Sequence, residues 1–132
     1  MDERKNLTTY RVIYGDADSM GIVYYANYLR LFEIGRTEFL RELGVAYKEV
    51  EREGFFLPVT EAFVKYLAPA RYDDVLAIET RIGFIKRASS RFEYRIHRDQ
   101  ETIVQGYTVH ACLDSENRIV RLPGILHDVL KR

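Results

Sequence analysis

The sequence predicts an α+β fold in which one long helix lies against a single curved antiparallel sheet of about five strands. Two patterns predict it. Apolar residues recur at helical spacing over residues 28–43, and apolar and polar residues alternate along three later segments. A helix with one apolar stripe must bury that stripe against another element, and the sheet is the element that the rest of the chain offers.

The chain begins with a strand and continues into the long helix. Residues 9–14 alternate between the two faces of a predicted strand. The helix follows Asn27, a predicted N-cap, and ends before Gly44, which suits the left-handed conformation at a helix C-terminus. Gly35 falls within the buried stripe, so we expect another backbone to approach the helix there.

A short second helix, four further strands and a terminal helix complete the expected order. The short helix spans about residues 46–53, and Pro123 begins the terminal helix. The four strands are predicted over residues 56–67, 76–84, 91–97 and 103–113. One helix leaves the edge strands of such a sheet uncovered, and edge-to-edge pairing of two copies is the usual remedy. We therefore expect a homodimer.

Composition and charge restrict the function classes. The 132 residues suffice for one domain, residues 1–132, and Lys plus Arg equal Asp plus Glu at 20 each. A net charge of zero provides no global field to attract nucleic acid or an anionic membrane. The polar N-terminus lacks the apolar core of a signal peptide, and no apolar run approaches the ~20 residues that span a bilayer. We expect a cytoplasmic protein without an integral membrane segment.

The sequence gives little support to metal or redox chemistry. Cys112 is the only cysteine, which excludes an intrachain disulfide, and we expect it to be buried in a strand. Residues 16–21 superficially match a calcium loop, but Met20 stands at a position that requires an oxygen ligand. The histidines match no metal-ligand spacing and have no assigned role: His97, His110 and His127. We expect no metal and no other cofactor.

The most informative segment is residues 14–28, which read Tyr-Gly-Asp-Ala-Asp-Ser-Met-Gly-Ile-Val-Tyr-Tyr-Ala-Asn-Tyr. Asp16 and Asp18 lie between the end of the predicted strand and the start of the predicted helix. Backbone N–H groups at a helix N-terminus favour negative charge. A carboxylate beside them can attack, or activate water against, a carbonyl whose oxygen they stabilise. From spacing alone, Asp18 is either a catalytic carboxylate or a turn cap, and Asp16 is a cap or a support for the loop.

Two further segments carry a family resemblance together with residues 14–28. Residues 33–38 read Glu-Ile-Gly-Arg-Thr-Glu, and residues 70–80 read Ala-Arg-Tyr-Asp-Asp-Val-Leu-Ala-Ile-Glu-Thr. The chain resembles the 4-hydroxybenzoyl-CoA thioesterase family of hotdog-fold acyl-CoA thioesterases over nearly its whole length. It is especially similar to the bacterial branch associated with the Tol-Pal system. The resemblance implies the hotdog fold, a homodimer or homotetramer with active sites at subunit interfaces, and hydrolysis of an acyl-CoA to free acid and coenzyme A, with acyl carrier protein as another possible thioester carrier.

The resemblance implies roles for residues of the first segment. Asp18 would be the catalytic carboxylate, either as nucleophile or as general base. The main-chain N–H groups around Tyr24 and Tyr25 would hold the thioester carbonyl oxygen. Many members of the Tol-Pal branch have histidine at the position of Tyr25, so a proton-transfer role of that side chain has no counterpart here. Tyr14 and Tyr28 would line the acyl pocket or orient Asp18, or would simply pack between helix and sheet.

The resemblance also implies a site for coenzyme A. Similar enzymes bind the phosphates of coenzyme A at a basic hairpin just before the strand at residues 91–97, to which Arg91 would add a further cation. Cations on an exposed turn reach an anion at little desolvation cost, although an ordinary solvated turn looks the same in sequence. The expected substrate and coenzyme A contacts are Lys86, Arg87, Ser89, Ser90, Thr60 and Glu61.

Two other functions stay open at this point. The same scaffold can act as a binding module for acyl-CoA or acyl carrier protein, which would not need Asp18. An interaction protein of the envelope-division machinery is the third reading. The acyl group also stays open, because the composition permits an aryl group or a short or medium fatty chain. Its pocket depends on the partner subunit and on Tyr25, Leu29, Phe32, Phe56 and Leu57.

Overall fold

The computed structural model describes residues 4–131, which form one five-stranded sheet with a long helix packed on one face. The elements are β1 (Lys5–Arg11), a 3₁₀ turn (Tyr14–Asp16), α1 (Asn27–Glu42), α2 (Tyr47–Arg52), β2 (Val59–Tyr66), β3 (Val75–Ile85), β4 (Ser89–Arg98), β5 (Glu101–Ala111) and α3 (Gly124–Lys131). All neighbouring strands are antiparallel, in the order β1-β3-β4-β5-β2. The predicted α+β class, with one long helix on an antiparallel sheet, is confirmed.

β2 lies at the edge of the sheet opposite to β1. The four later strands follow one another along the chain as expected, but β2 pairs with β5 rather than with β3. Gly106 of β5 makes this pairing close, since a Cβ built there would meet the carbonyl oxygen of Phe63 at 2.0 Å. The lack of a side chain at Gly106 therefore allows β2 to pair closely with β5.

The start of α1 differs from the prediction. β1 ends at Arg11, so Tyr14 lies in the 3₁₀ turn and not in the strand. Asn27 is the first residue of α1 rather than its N-cap, and its Nδ2 donates to the main-chain oxygen of Asp16 at 2.8 Å. The Asn27 side chain thus ties the helix to the preceding loop. At the other end, Gly44 has a φ of 92°, as expected for the residue that ends the helix.

α1 packs its buried face on β3 and β4. The rings of Phe32 and Tyr94 stack with their centroids 4.1 Å apart. At Gly35 a Cβ would lie 2.4 Å from Thr80 Oγ1 and 2.7 Å from Ile78 Cγ2. The close approach expected at Gly35 exists, but side chains of β3 make it instead of a backbone. The helix therefore packs so close to β3 at this position that only glycine fits without a shift of the neighbouring atoms.

The remaining core matches the sequence pattern closely. Cys112 is buried, one residue beyond the end of β5. α3 follows Pro123 and buries Leu126 and Leu130 against the sheet side of the molecule.

None of the helices within residues 4–131 has both the length and the apolar character needed to cross a bilayer.

The sheet face opposite α1 is polar and carries two residues that were expected near the substrate. The Tyr107 hydroxyl donates to Glu61 at 2.5 Å, and the Arg91 guanidinium lies 3.8 Å from the Tyr107 ring centroid. Burial alone would raise the pKa of Glu79 on this face, but Arg81 and further cations hold that pKa below its usual value. Glu61 and Arg91 therefore belong to a polar surface network.

Candidate active site

The loop between β1 and α1 is held as a tight hairpin. Ala17 and Val23 form an isolated antiparallel bridge, and the Asp18 N–H donates to the Ile22 carbonyl at 2.9 Å. Gly21 turns the chain with a φ of 81°, and its N–H donates to the Asp18 carbonyl at 2.9 Å. Both main-chain groups of Asp18 are thus fixed, which holds its side chain at the corner of the loop.

The Asp18 carboxylate is partly buried and only partly used by the fold. Its Oδ1 accepts a hydrogen bond from the Met20 N–H at 2.8 Å, the geometry of a turn cap. Its Oδ2 accepts no hydrogen bond from the part of the chain that the structure describes. Asp18 therefore caps the turn with one oxygen, and its other oxygen has no hydrogen-bond partner among the described residues.

Asp16 supports the loop through a carboxylate that is 3% exposed. Its Oδ2 accepts hydrogen bonds from the Tyr10 hydroxyl at 2.7 Å and from the Ile13 N–H at 3.0 Å. Its Oδ1 pairs with the Arg30 guanidinium of α1. β1, the loop and α1 therefore meet at this one carboxylate, which is the supporting role that the sequence allowed for Asp16.

Main-chain donors stand at the beginning of α1. The Tyr24 N–H donates to the Asp16 carbonyl at 2.9 Å, so this expected oxyanion donor is already occupied. The N–H groups of Tyr25 and Ala26 have no acceptor among residues 4–131. The positive end of the α1 dipole adds to their preference for negative charge. The donors that remain for a ligand oxygen are thus Tyr25 and Ala26.

Asp18 and Tyr25 line the same open cavity, which has a volume of about 500 Å³ and lies at the C-terminal end of β2. Its walls are mainly aromatic and aliphatic, and they include Met20, Ile22, Tyr28, Tyr66 and Leu67. The cavity therefore brings the Asp18 carboxylate and Tyr25, whose N–H has no acceptor among the described residues, to one largely apolar surface.

Three of the tyrosines around this site differ in their surroundings. The buried Tyr28 ring packs edge-on against Tyr66 at 5.8 Å, and burial raises the pKa of Tyr28 to about 12. The Tyr66 hydroxyl donates to the Tyr25 carbonyl at 3.1 Å, which steadies the main chain beside the free donors. Tyr14 is 80% exposed, packs against Tyr72, and does not line the Asp18 cavity.

A second, more enclosed cavity of about 210 Å³ lies beneath α1. His110 of β5 lines it, is 2% exposed, and has its pKa lowered to about 4, first by burial and further by Arg36. Sequence reasoning gave His110 no role, although a polar residue at an inward position of a strand was a usable signal. The cavity is lined by Glu33, Arg36, Thr37, Leu40, Tyr47, Leu57, Phe92 and His110.

A basic groove of about 380 Å³ lies beside the β3–β4 connection. Lys86 and Arg87 line it, and residues later in the chain add Arg121, His127 and Lys131. None of its four Lys and Arg side chains forms an ion pair with the described residues. Sequence reasoning missed the later cations because only the packing of α3 brings them to the hairpin.

The other predicted contact residues are not brought to these cavities. Ser90 is 1% exposed, and its buried Oγ has no partner among the described residues, so it does not reach the groove. The Ser89 carbonyl accepts from the Lys86 N–H at 2.8 Å and shapes the turn. Thr60 Oγ1 donates to the Val109 carbonyl at 3.2 Å, and Glu61 lies on the opposite sheet face. Residues 4–131 contain no cluster of three His, Cys, Asp or Glu side chains that could hold a metal.

Comparisons with known proteins agree with this geometry. Residues 12–132 match the thioesterase-like superfamily. The chain is 35% identical over 105 residues to the acyl-CoA thioesterase YbgC of Haemophilus influenzae, covering 79% of this chain and 77% of the relative. It is 30% identical over 111 residues to the 1,4-dihydroxy-2-naphthoyl-CoA hydrolase of Synechococcus elongatus, covering 82% of each. A crystal structure of a hypothetical protein from Thermus thermophilus matches with a TM-score of 0.92 and 32% identity, covering 95% and 96% of the two chains.

The long helix on a five-stranded antiparallel sheet, together with the similarity to the acyl-CoA thioesterase of Haemophilus influenzae, defines a hotdog-fold thioester hydrolase. Within that class, the chain belongs to the thioesterase-like superfamily. The fold and the enzyme class expected from the sequence are thereby confirmed.

Proposed function

We propose that the chain hydrolyses acyl-CoA thioesters and that Asp18 is the catalytic carboxylate. The observation that carries the proposal is that Asp18 and Tyr25, whose N–H has no acceptor among the described residues, line the same largely apolar cavity. The relatives from Haemophilus influenzae and Synechococcus elongatus are named for acyl-CoA substrates, which supports coenzyme A as the carrier.

Two routes of hydrolysis fit the free Oδ2 of Asp18. As a nucleophile, this oxygen attacks the thioester carbon, the C–S bond breaks, and water then hydrolyses the resulting anhydride. As a general base, Asp18 takes a proton from the attacking water and returns it to the leaving thiolate. On both routes the developing oxyanion lies against the N–H groups of Tyr25 and Ala26, and losing one such donor typically costs about 3 kcal/mol.

The basic groove is the proposed site for the phosphates of coenzyme A. Lys86 and Arg87 retain the role expected from the sequence, and Arg121 and Lys131 extend it. Arg121 supports the assignment because a guanidinium can bind a phosphate through two parallel hydrogen bonds. The four cations would then hold the nucleotide end of the substrate away from the reacting carbon.

The proposed enzyme is a homodimer in which β2 pairs with β2 of a second copy. Among the described residues, β2 pairs with β5 only, so its other edge is open. Its exposed side chains include Phe63 and Tyr66. A twofold axis makes two copies of one strand run antiparallel. The C-terminal end of β2, beside the Asp18 cavity, would then face the N-terminal end of the partner's β2, which follows Leu57 of the partner subunit. The acyl group would enter the cavity beneath α1 of that partner.

The test is thiol release from a panel of aliphatic and aryl acyl-CoAs by the wild type and by Asp18→Asn. We expect at least one substrate to be turned over, with kcat about 100-fold lower or worse in Asp18→Asn. Asp99→Asn is the matched control, because Asp99 is an exposed turn carboxylate that does not line the Asp18 cavity.

Either of two outcomes would contradict the proposal. Equal rates for wild type and Asp18→Asn would remove Asp18 from the chemistry. Binding of acyl-CoA without turnover of any panel member would favour the non-catalytic binding module.

Three finer expectations remain predictions and have their own tests. Assignment to the Tol-Pal-associated branch predicts co-purification with components of that system. The dimeric or tetrameric state is measured by sedimentation, and the cytoplasmic location by cell fractionation.

A further inference from the structure

The main chain of Leu57 is held by side chains from two different elements. Its N–H donates to the Tyr47 hydroxyl of α2 at 2.9 Å, and its carbonyl oxygen lies 3.0 Å from Nδ1 of His110 in β5. All three residues line the cavity beneath α1. Leu57 lies between α2 and β2, so no helix or strand of its own fixes its position. These two side-chain bonds engage both main-chain groups of Leu57 itself.

His110 is itself oriented by a chain of buried hydrogen bonds. A carbonyl oxygen can only accept, so Nδ1 carries the proton that is donated to Leu57. Nε2 therefore accepts from the Thr108 hydroxyl at 2.8 Å, and Thr108 Oγ1 accepts from the Tyr94 hydroxyl at 2.6 Å. His110, Thr108 and Tyr94 are each at most 3% exposed. Turning the imidazole ring would leave a buried partner unpaired, so the ring holds its direction.

The residues on both sides of Leu57 are also bound to the β5 side of the cavity. Phe56 and Leu113 exchange main-chain hydrogen bonds of 2.9 and 2.8 Å. The Ala111 N–H donates to the Pro58 carbonyl at 3.1 Å. Leu57 therefore cannot withdraw from the cavity wall by a shift of its neighbours.

We propose that Tyr47 and His110 are positioning residues that hold Leu57 in the cavity wall and so limit the acyl group to one aromatic ring or a short alkyl chain. The inference rests on the proposed function, in which this cavity receives the acyl group. Its volume is about 210 Å³. A cavity of roughly 150 Å³ already accommodates benzene, so one ring fits with little space left, and we expect a second fused ring to press against Leu57.

The test measures binding and does not depend on turnover. The ligands are thioethers of coenzyme A that carry a ketone in place of the thioester: 2-oxopropyl-CoA, phenacyl-CoA and its 2-naphthyl counterpart. Dissociation constants are measured by titration calorimetry for the wild type, Tyr47→Phe and His110→Leu. Tyr107→Phe is the matched control, because it removes a tyrosine hydroxyl from the opposite sheet face.

The wild type is expected to bind phenacyl-CoA at least about tenfold more tightly than the naphthyl ligand, a ratio in the range that pocket size can supply. Tyr47→Phe should reduce that ratio at least about threefold while changing the dissociation constant of 2-oxopropyl-CoA less than twofold, since only the bond to the Leu57 N–H is lost. Tyr107→Phe should leave all three constants unchanged. A general loss of stability would weaken the three ligands equally and would not move the ratio.

Two results would overturn the inference alone: equal affinity of the wild type for the one-ring and two-ring ligands, or an unchanged ratio in both Tyr47→Phe and His110→Leu. These results leave the Asp18→Asn experiment untouched. Failure of all three ligands and of free coenzyme A to bind would overturn both the inference and the proposed function.

Discussion

Two aspartates two residues apart differ in how many hydrogen bonds they accept, and we propose a structural role for one and a catalytic role for the other. Asp16 is nearly inaccessible and takes hydrogen bonds from Tyr10, Ile13 and Arg30. Asp18 takes one, from the Met20 N–H, and faces a cavity. A residue whose oxygens are all engaged contributes to stability, and one with an oxygen to spare is available to a substrate.

This division predicts unequal effects of the same substitution on the free energy of unfolding. Asp16→Asn should lower the free energy of unfolding by about 2 kcal/mol, because Arg30 loses its charged partner. In addition, the amide NH₂ of asparagine is a donor and cannot accept the hydrogen bonds that Asp16 accepts from the Tyr10 hydroxyl and the Ile13 N–H. Asp18→Asn should change it by less than about 1 kcal/mol. Urea unfolding of both variants beside the wild type measures the difference. Equal losses in the two variants would contradict the division.

His110 predicts a pH dependence of stability at the same scale. Its pKa is lowered from 6.5 to about 4 in the folded chain, chiefly by burial. The unfolded chain therefore binds a proton at a pH where the folded chain does not, so stability falls as the pH decreases from 6.5 towards 4. The full loss is about 3 kcal/mol.

Urea unfolding at pH 7.5, 6, 5 and 4.5 measures this dependence. His110→Gln should flatten the slope between pH 6.5 and 4.5, whereas His97→Gln, which changes a histidine on the polar sheet face, should keep it. A slope that survives in His110→Gln would assign the titration to another group.

At the scale of elements, the lack of a side chain at Gly35 lets α1 pack closely against β3. Gly35 faces Thr80 Oγ1 and Ile78 Cγ2 at distances that no Cβ would tolerate. Helix propensity favours alanine over glycine by about 1 kcal/mol, so a glycine in the buried stripe predicts a close contact that compensates for this cost. The contact with β3 explains why the glycine is nevertheless suited to its place.

Gly35→Ala should therefore destabilise the fold by about 1–3 kcal/mol despite its better helix propensity. Thr80→Ala removes the nearest atom, so the double variant should lose less than the sum of the two single losses. Gly15→Ala is the matched control, because nothing lies within 4 Å of a Cβ at that position. A neutral or stabilising Gly35→Ala in thermal unfolding would mean that α1 can shift away from β3 at no cost.

At the scale of the whole molecule, the proposed dimer predicts that two inactive variants restore each other. Asp18→Asn removes the carboxylate, and Leu57→Trp fills the cavity beneath α1. In a heterodimer of the two, one site combines an intact Asp18 with the intact cavity of the other copy. Random mixing should recover about one quarter of the wild-type activity.

Thiol release after denaturing and refolding the two variants together measures this recovery. The variants refolded separately and then combined serve as the control. No recovery in stable mixed dimers would mean that carboxylate and cavity act within one chain.

The sequence was sufficient to predict a helix or strand wherever a single pattern of apolar residues determines it. The apolar stripe of residues 28–43 predicts α1, and alternation predicts β3, β4 and β5, because burial imposes those periods. It was insufficient where distant groups compete. Asn27 serves Asp16 and not its own helix, and the N–H of Tyr24 is taken by the same loop. The edge position of β2 depends on Gly106, and the cations near the C-terminus reach Lys86 only through packing, so no local pattern records either.

If the basic groove binds the phosphates of coenzyme A, as proposed, it affects the rate of substrate association. A chain with no net charge exerts little attraction at long range, yet an anion within a Debye length of about 8 Å experiences mainly the unpaired cations nearest to it. Capture of a polyanionic substrate would therefore accelerate only during the last steps of its approach. Added salt should slow that capture and leave the bond-breaking step unchanged, so ionic strength separates encounter from chemistry in this protein.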